Sequence, residues 1–364
     1  MAYTTIDDPS AHFQMDLYTG DGQGSGNNVI TNDGNSDLQP DWIWTKERTS
    51  TSGNQNHTFI DTSRGIDKQM FGNLTSADAT SSNFITQIDS DGFRLGDNAN
   101  INNNSSNYVA WQWKCNGGTS SASGSESGSN LAYDFQVNTT SKFMINKYTG
   151  RGSSSTLNLG NHFTPEFMIF KNRSQGDDWV VYHHKNTAYP WTDHLHLNTT
   201  AATSDDEQMF EDVVFAADEI NLGTNHEVNA DGENYVAYAF AGVQGYSKFG
   251  SYTGNGDADG PFVYTGFKPA WVMVKKTSDT HSWYIQYGST GIDTGDQGSN
   301  PVKSSLQANS NSGDSTENSM DFLSNGFKIR TSGNGHNTGS GTYIYMAFAE
   351  HPFVSSKGVP VTAR

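Results

Sequence analysis

Short stretches in which large apolar and polar residues alternate are separated along this chain by long runs of Asn, Gly, Ser, Thr and Asp. Alternation with a period of two indicates β-strands that bury one face and expose the other. Trp42 and Trp44 share one such face, and Trp271 and Met273 share another. The best candidate for a helix is 205–217, where a strand is the alternative. The pattern therefore predicts an all-β protein whose strands pack by one face.

One succession of motifs occurs three times: a Tyr-Thr-Gly turn, a Pro followed by a large-residue strand ending in Lys, and an aromatic strand led by Tyr. The opening tyrosines are Tyr18, Tyr148 and Tyr252, and the closing ones are Tyr108, Tyr235 and Tyr343. Each copy spans roughly ninety residues between these tyrosines, a length typical of a folded domain and longer than most solenoid repeats. The repeat predicts three tandem β-sandwich domains with long polar loops.

The spacing of the copies also predicts the domain boundaries. We expect sandwich repeats over 1–116, 131–243 and 244–351, a Gly/Ser-rich linker over 117–130, and an extended C-terminal tail over 352–364. A Gly/Ser-rich segment behaves as a flexible coil. The first domain is therefore expected to be loosely tethered, whereas the second and third are expected to form a rigid pair.

Composition and charge exclude several classes of function. The net charge is −18 and basic residues do not cluster, so a phosphate backbone would be repelled and we expect no nucleic-acid partner. The single cysteine, Cys115, permits neither an internal disulfide nor a cysteine-pair metal site. The chain has no long apolar run and no signal-like start, so we expect neither membrane insertion nor signal-peptide export.

Four segments carry a resemblance to a known family: TTIDDP at 4–9, QPDWIW at 39–44, YVAWQWK at 108–114 and AFAEHPF at 347–353. They resemble structural proteins of marine tailed phages, notably cyanophages and pelagiphages, and the resemblance spans almost the whole chain. It implies jelly-roll, concanavalin-like (lectin or laminin-G-type) domains. It also implies a virion structural protein that is made in the host cytoplasm and exposed on the particle surface as a tail fibre, spike or appendage.

The expected partners follow from this resemblance. They are other virion proteins, further copies of the chain with a trimer favoured, and a glycan of the host surface. A capsid decoration protein without a ligand is one alternative, and a polysaccharide-degrading depolymerase is another.

A depolymerase would need two carboxylates about 5–9.5 Å apart across a sugar site. The candidate acids are Asp177 and Asp178, and Asp205, Asp206 and Glu207. They lie in turn-rich polar segments, where solvated loop acids are the usual case. No catalytic motif accompanies them, and we expect the protein not to be an enzyme.

Two acidic loops offer oxygen ligands of the kind that Ca²⁺ prefers, Asp33 with Asp37 and Asp257 with Asp259. Asx turns explain both loops without an ion. Calcium is the only cofactor that the sequence suggests. His194 and His196 would share one face of a strand, a spacing that permits metal ligation, but a surface pair is the simpler interpretation.

Tyr189 and Trp191 flank a proline in a polar loop. Flat aromatic rings in loops can stack on the faces of sugars. The other tryptophans fit strand patterns and are expected in the core. Tyr189 and Trp191 are therefore the candidate glycan-binding residues.

Overall fold

The three repeats of the sequence recur as three copies of one arrangement of strands. The structure, a computed structural model, describes residues 3–24, 28–49, 53–288 and 300–361. Within these ranges there are 27 β-strands, three α-helices of four residues each and a short 3-10 turn. The predicted all-β fold is confirmed.

The elements of the first repeat are the 3-10 turn Pro9–Ala11, β1 (Phe13–Thr19), β2 (Val29–Ile30), β3 (Trp42–Thr49), β4 (Thr58–Asp61), β5 (Lys68–Phe71), β6 (Ala79–Thr80), β7 (Ile85–Asp89), β8 (Gly92–Leu95), α1 (Ala99–Asn102) and β9 (Asn107–Trp113). The elements of the second are β10 (Ala122–Gly124), β11 (Tyr133–Asn138), β12 (Phe143–Thr149), β13 (Ser155–Asn158), β14 (Phe167–Asn172), β15 (Val180–His183), β16 (Asp193–His196), β17 (Ser204–Asp205), β18 (Glu219–Leu222), α2 (His226–Asn229) and β19 (Asn234–Phe240). The elements of the third are β20 (Ser247–Thr253), β21 (Phe262–Tyr264), β22 (Phe267–Lys276), β23 (Trp283–Tyr287), β24 (Val302–Gln307), β25 (Ser315–Leu323), β26 (Gly326–Ile329), α3 (Asn334–Asn337) and β27 (Thr342–Pro352).

Each repeat contains an antiparallel main sheet with one common strand order. The orders are β1-β9-β3-β4-β5, β12-β19-β14-β15-β16 and β20-β27-β22-β23-β24. A smaller layer packs on one face of each main sheet: β2-β8-β7, β13-β18 and β21-β26-β25. Each repeat is therefore a sandwich of a large and a small layer.

The Tyr-Thr-Gly motif fastens the first strand of each main sheet to the short helix that precedes its last strand. The opening and closing tyrosines lie opposite each other in register and their rings stack, with centres 5.1, 5.0 and 4.9 Å apart in the three repeats. The opening tyrosines donate their hydroxyl hydrogen to helix carbonyls, namely Ile101 O, Val228 O and His336 O. A Cβ atom on the motif glycine would collide with the backbone that follows the helix, which explains why glycine ends the motif.

A buried asparagine completes this junction in every repeat. Asn102, Asn229 and Asn337 are fully buried. Their Oδ1 atoms accept the backbone N–H that follows the motif glycine, at 2.9, 2.8 and 2.8 Å. Their Nδ2 atoms donate to a backbone carbonyl six residues earlier, at 2.7, 2.6 and 2.9 Å. Because each amide has partners on both sides, burial of this polar group is tolerated.

The other faces of the three main sheets meet in one shared aromatic core. A single hydrophobic cluster contains buried side chains from all three repeats. Trp42 stacks on Tyr238 with ring centres 4.5 Å apart, Phe240 packs edge-on against Phe348 at 5.8 Å, and Trp271 lies 6.1 Å from Trp111. Each pair of repeats is therefore joined directly through aromatic rings.

Three buried lysines connect the repeats in a cycle. Lys46, Lys171 and Lys275 lie at equivalent positions on β3, β14 and β22 and are fully buried. Each donates to a backbone carbonyl of another repeat. The bonds run from Lys46 Nζ to Asn311 O (3.1 Å), from Lys171 Nζ to Thr75 O (2.9 Å) and from Lys275 Nζ to Thr200 O (3.2 Å). Burial lowers the pKa of all three lysines to about 8. The first repeat thus bonds to the third, the second to the first, and the third to the second.

A second set of hydrogen bonds, donated by side-chain ring N–H groups, connects the repeats in the same cycle. The donors lie directly before β4, directly before β15 and at the first residue of β23. The bonds are His57 Nε2 to Gln307 O (3.0 Å), Trp179 Nε1 to Phe71 O (3.0 Å) and Trp283 Nε1 to His196 O (2.8 Å). His57 accepts the indole N–H of Trp44 at Nδ1, which leaves its Nε2 to act as the donor. The three repeats therefore occupy equivalent places around a pseudo-threefold arrangement.

Several local expectations differ from the structure. The inner strands of the main sheets are buried on both faces, as residues 42–48 illustrate, because the shared core covers the face that the sequence predicted to be exposed. Residues 205–217 contain no helix and only the end of β17. The Gly/Ser-rich segment is held to the second repeat, since β10 pairs with β11 and Gly118 N donates to Gln136 Oε1 at 3.1 Å. The tail folds back, with Ser356 N donating to Asp7 Oδ1 at 2.6 Å.

Candidate functional site

The two predicted glycan-binding residues lie together on the loop between β15 and β16. Tyr189 is 65% exposed, and its ring centre lies 5.9 Å from that of Trp191 with the ring planes at 83°. Trp191 is half-buried and packs against the core of the second repeat. The tyrosine ring is thus the accessible surface of the pair, and the tryptophan ring anchors the loop.

The four predicted calcium ligands are all exposed, and among the described residues none of them belongs to a group of three His, Cys, Asp or Glu side chains with converging ligand atoms. Asp33 lines a cleft of about 320 Å³ between the first and third repeats, together with Asp8 and Glu350. In the other loop the N–H of Asp259 donates to Asp257 Oδ1 at 2.9 Å, which is an Asx turn. Asp259 Oδ1 forms an ion pair with Lys328 Nζ at 2.8 Å. The second loop therefore satisfies its carboxylates with its own backbone and a lysine.

A buried acid near the first of these loops was not identified from the sequence. Asp16 lies on β1, and its Oδ2 accepts the amide N–H of Gln112 at 2.5 Å. Burial and the neighbouring charge of Asp33 raise its pKa to about 7. An acid with so high a pKa is protonated over much of the acidic range.

His194 and His196 share one face of β16, as their spacing predicted. Their ring centres are 4.9 Å apart. Burial and the neighbouring His196 lower the pKa of His194 to about 4. The Nδ1 atom of His194 is buried and has no hydrogen-bond partner among the described residues. Burial opposes the charged form of His196, but the hydrogen bond to Glu227 and its negative charge outweigh this effect and raise the pKa of His196.

His196 is also part of a group of three side chains with metal-ligating atoms. The ligand atoms of Asp178, His196 and Glu227 all lie within 4.8 Å of one another, and in the described ranges no other group of three His, Cys, Asp or Glu residues does so. His196 Nε2 and Glu227 Oε2 are 3.0 Å apart. Asp178 precedes β15, His196 ends β16 and Glu227 lies on α2, so three separate elements supply the group.

Each of the three residues is held from outside the group, Asp178 by its side chain and the other two by their backbone. Asn198 Nδ2 donates to Asp178 Oδ1 at 2.6 Å. The backbone carbonyl of His196 accepts the indole N–H of the third repeat. Asn225 caps α2 by accepting the backbone N–H of Glu227 at 2.9 Å. The arrangement is therefore positioned by the cap, by the sheet and by the contact between repeats.

Only the second repeat carries ionisable groups at all three positions. The strand register and the short helices define the equivalent positions in the other repeats. Those of Asp178, His196 and Glu227 are Asn56, Phe71 and Asn100 in the first repeat, and Ser282, Gln307 and Gly335 in the third. The neutral residues of the other repeats bond to one another: Asn56 N donates to Asn100 Oδ1 at 3.3 Å, and Ser282 Oγ donates to Gln307 Oε1 at 3.0 Å. The fold accepts neutral side chains here, so it does not itself require the ionisable group.

Comparison with known proteins places the chain in a family. A family model described as a domain of unknown function (DUF7483) matches residues 8–352. The chain belongs to the DUF7483 family. No curated protein matches the sequence.

The DUF7483 match runs through all three repeats of the sequence. This agrees with the structure, in which the repeats share one core and form one unit. No helix in the described part of this DUF7483 protein is long and apolar enough to span a membrane.

Of the three side chains in this group, the sequence indicated only His196 as a possible metal ligand. It did not indicate Asp178 or Glu227 as metal ligands. The His194–His196 spacing pointed to β16, which supplies one of the three side chains, whereas Asp178 was considered only as a catalytic acid. Glu227 was not considered, because it comes from a helix of one turn that periodicity does not reveal. Comparison of the three repeats position by position is the sequence signal that would have found the group.

Proposed function

We propose that this protein is a structural component of a tailed-phage particle. In this role it is exposed on the particle surface as a tail fibre, spike or appendage, and it is not an enzyme. The observation that carries the proposal is the shared core: three sandwiches close on one another through aromatic rings and a cycle of buried hydrogen bonds. Such a closed body suits a protein that must hold its loops rigidly outside a particle.

We further propose that the β15–β16 loop contacts a host-surface glycan. The exposed ring of Tyr189, with Trp191 anchored beneath the loop, supports this assignment. Aromatic faces bind sugars by covering their apolar C–H surfaces. The contact needs only a ring held in place and does not need a deep pocket.

Capsid decoration without a ligand is the second candidate. The pseudo-threefold order of the inter-repeat bonds favours it, because a body with three equivalent sides can sit on a threefold axis of a shell. Self-association, with a trimer favoured, and attachment to other virion proteins belong to both proposals.

The test is cryo-electron microscopy of purified particles together with mass spectrometry of their proteins. Density for the three sandwiches on the tail or its appendages supports the first proposal, and density on the capsid shell supports the second. Absence of the protein from purified particles would refute both. Glycan contact is tested separately by adsorption of particles that carry Tyr189→Ala, with His162→Ala, another exposed ring of the second repeat, as the control.

A further inference from the structure

We propose that the second repeat binds one first-row divalent metal ion, of the Zn²⁺ or Mn²⁺ type, through Asp178, His196 and Glu227. The closeness of the three ligand atoms is the first support. All lie within 4.8 Å of one another, and an ion with bonds of about 2.0–2.2 Å can reach three atoms that are so arranged. Water can complete the coordination, since all three side chains are only partly buried.

The ligand types select the class of metal. Two carboxylates and one imidazole suit Zn²⁺, Mn²⁺ and related ions, whereas Ca²⁺ prefers sites made entirely of oxygen. The charges also favour a cation, because two carboxylates lie beside the imidazole, which becomes neutral when it binds a metal. Lys171 faces the same region from β14, but its Nζ donates to the carbonyls of Thr75 and Asp177 at 2.9 and 2.7 Å, which holds the ammonium group on backbone oxygens.

The pseudo-threefold arrangement supplies an independent argument. The same three backbone positions carry Asn56, Phe71 and Asn100 in the first repeat, and Ser282, Gln307 and Gly335 in the third. Both sets satisfy the fold with neutral side chains. A histidine between two carboxylates is therefore a local property of the second repeat, and metal ligation explains why all three positions differ together.

The surroundings of the group resemble those of a prepared site. Asn198 orients Asp178 by a hydrogen bond of 2.6 Å, as outer groups do for metal-binding carboxylates. His194 lies beside His196 and leaves its buried Nδ1 without a partner among the described residues. A bound ion would join the segment before β15, the end of β16 and helix α2.

The proposal predicts a stabilising effect of metal that reaches the contact between repeats. His196 is also the residue whose carbonyl accepts the N–H of Trp283 at 2.8 Å. An ion held by His196 therefore stabilises the contact between the second and third repeats. Because an ion that binds only the folded chain stabilises it by mass action, the melting temperature should rise with metal concentration.

The experiment uses the full chain, treated with a chelator and then dialysed. Titration calorimetry and thermal unfolding are measured with Zn²⁺, Mn²⁺ and Ca²⁺. We expect one Zn²⁺ or Mn²⁺ per chain with a concentration-dependent rise in melting temperature, and no comparable effect of Ca²⁺. Failure of the wild-type chain to bind either transition ion would overturn the proposal.

The variants use residues that the other repeats already carry. Asp178→Asn copies Asn56, and His196→Gln copies Gln307, so both are expected to fold in the absence of metal. Each should weaken binding roughly tenfold or more, since it replaces a carboxylate or imidazole ligand by a neutral amide, which binds these ions more weakly. The control is His162→Gln, the same substitution at an exposed histidine, which should bind as the wild type does. Equal binding by all the variants would refute the assignment.

X-ray absorption spectroscopy of the wild-type chain loaded with Zn²⁺ tests the ligands without any substitution. One imidazole nitrogen among oxygen ligands is the expected signature. A spectrum with several imidazole ligands would overturn the proposed ligand set. None of these three measurements depends on where the protein lies in a phage particle, so failure here leaves the proposed function untouched.

Discussion

Asp16→Asn tests the electrostatics of the first repeat. Asp16 is buried on β1, and its Oδ2 accepts the N–H of Gln112. The equivalent position in the second repeat is Asn146, which is fully buried and donates from Nδ2 to Asn158 O at 3.1 Å. The fold therefore already accepts asparagine at this place, and the substitution removes the titration of one group.

The expected magnitude follows from linkage. Burial and the charge of Asp33 raise the pKa of Asp16 from 3.8 to about 7. The folded chain therefore keeps a proton that the unfolded chain loses between these pH values. Stability is present at low pH and is lost as pH rises towards 7. Three pKa units correspond to about 4 kcal/mol, which is the expected size of the loss contributed by this carboxyl group.

The assay is denaturant unfolding of the wild type and Asp16→Asn between about pH 4 and pH 8. Subtracting the two free energies cancels the other titrating groups, because both chains contain them. The wild type should lose up to about 4 kcal/mol relative to the variant over this range. Asp89→Asn is the control. Asp89 pairs with Arg94 at 2.8 Å, and the hydrogen bond from Arg94 lowers the pKa of Asp89. The difference in unfolding free energy between the wild type and Asp89→Asn should therefore change little with pH over this range. A flat difference for Asp16→Asn would refute the reasoning.

Three further predictions concern the junctions between and within repeats. Gly150→Ala should lower the free energy of unfolding by about 1–3 kcal/mol, because its Cβ would collide with the carbonyl of Ala230, whereas Gly176→Ala has room and should change little. Trp179→Phe should lower the free energy of unfolding by about 1–3 kcal/mol, because two carbonyls of the first repeat lose their indole donor. Trp191→Phe, at a half-buried loop position, should lower it by less. Denaturant titration measures both variants. Calorimetry should show one unfolding transition for the whole chain, because the core is shared, and three separable transitions would contradict this.

The local architecture could be predicted from the sequence because it depends on neighbours along the chain. The Tyr-Thr-Gly motif and the closing tyrosine marked two strands that pair in the main sheet of each repeat, and Tyr18 lies opposite Tyr108 in the structure. The shared core was not predicted. Its signal was present in Trp42-Ile43-Trp44, where the intervening residue is also apolar, a pattern typical of a strand buried on both faces.

The candidate metal site could be predicted only in part. A period of two placed His194 and His196 on one face because both lie on one strand. Asp178 and Glu227 reach that face from a loop and from a one-turn helix, and their approach is set by the packing of β15, β16 and α2. Such tertiary contacts leave no period in the sequence.

The cycle of inter-repeat bonds also determines when the protein can finish folding. Lys46 Nζ reaches Asn311 O across 265 residues of chain. At roughly 5–20 residues per second, synthesis of the third repeat takes on the order of ten seconds. During that time the tryptophan-rich face of the first repeat can be covered by the second repeat only in part. The emerging chain must keep an apolar surface out of contact with other chains until its last strands arrive, and a chain truncated before β20 would keep that surface permanently.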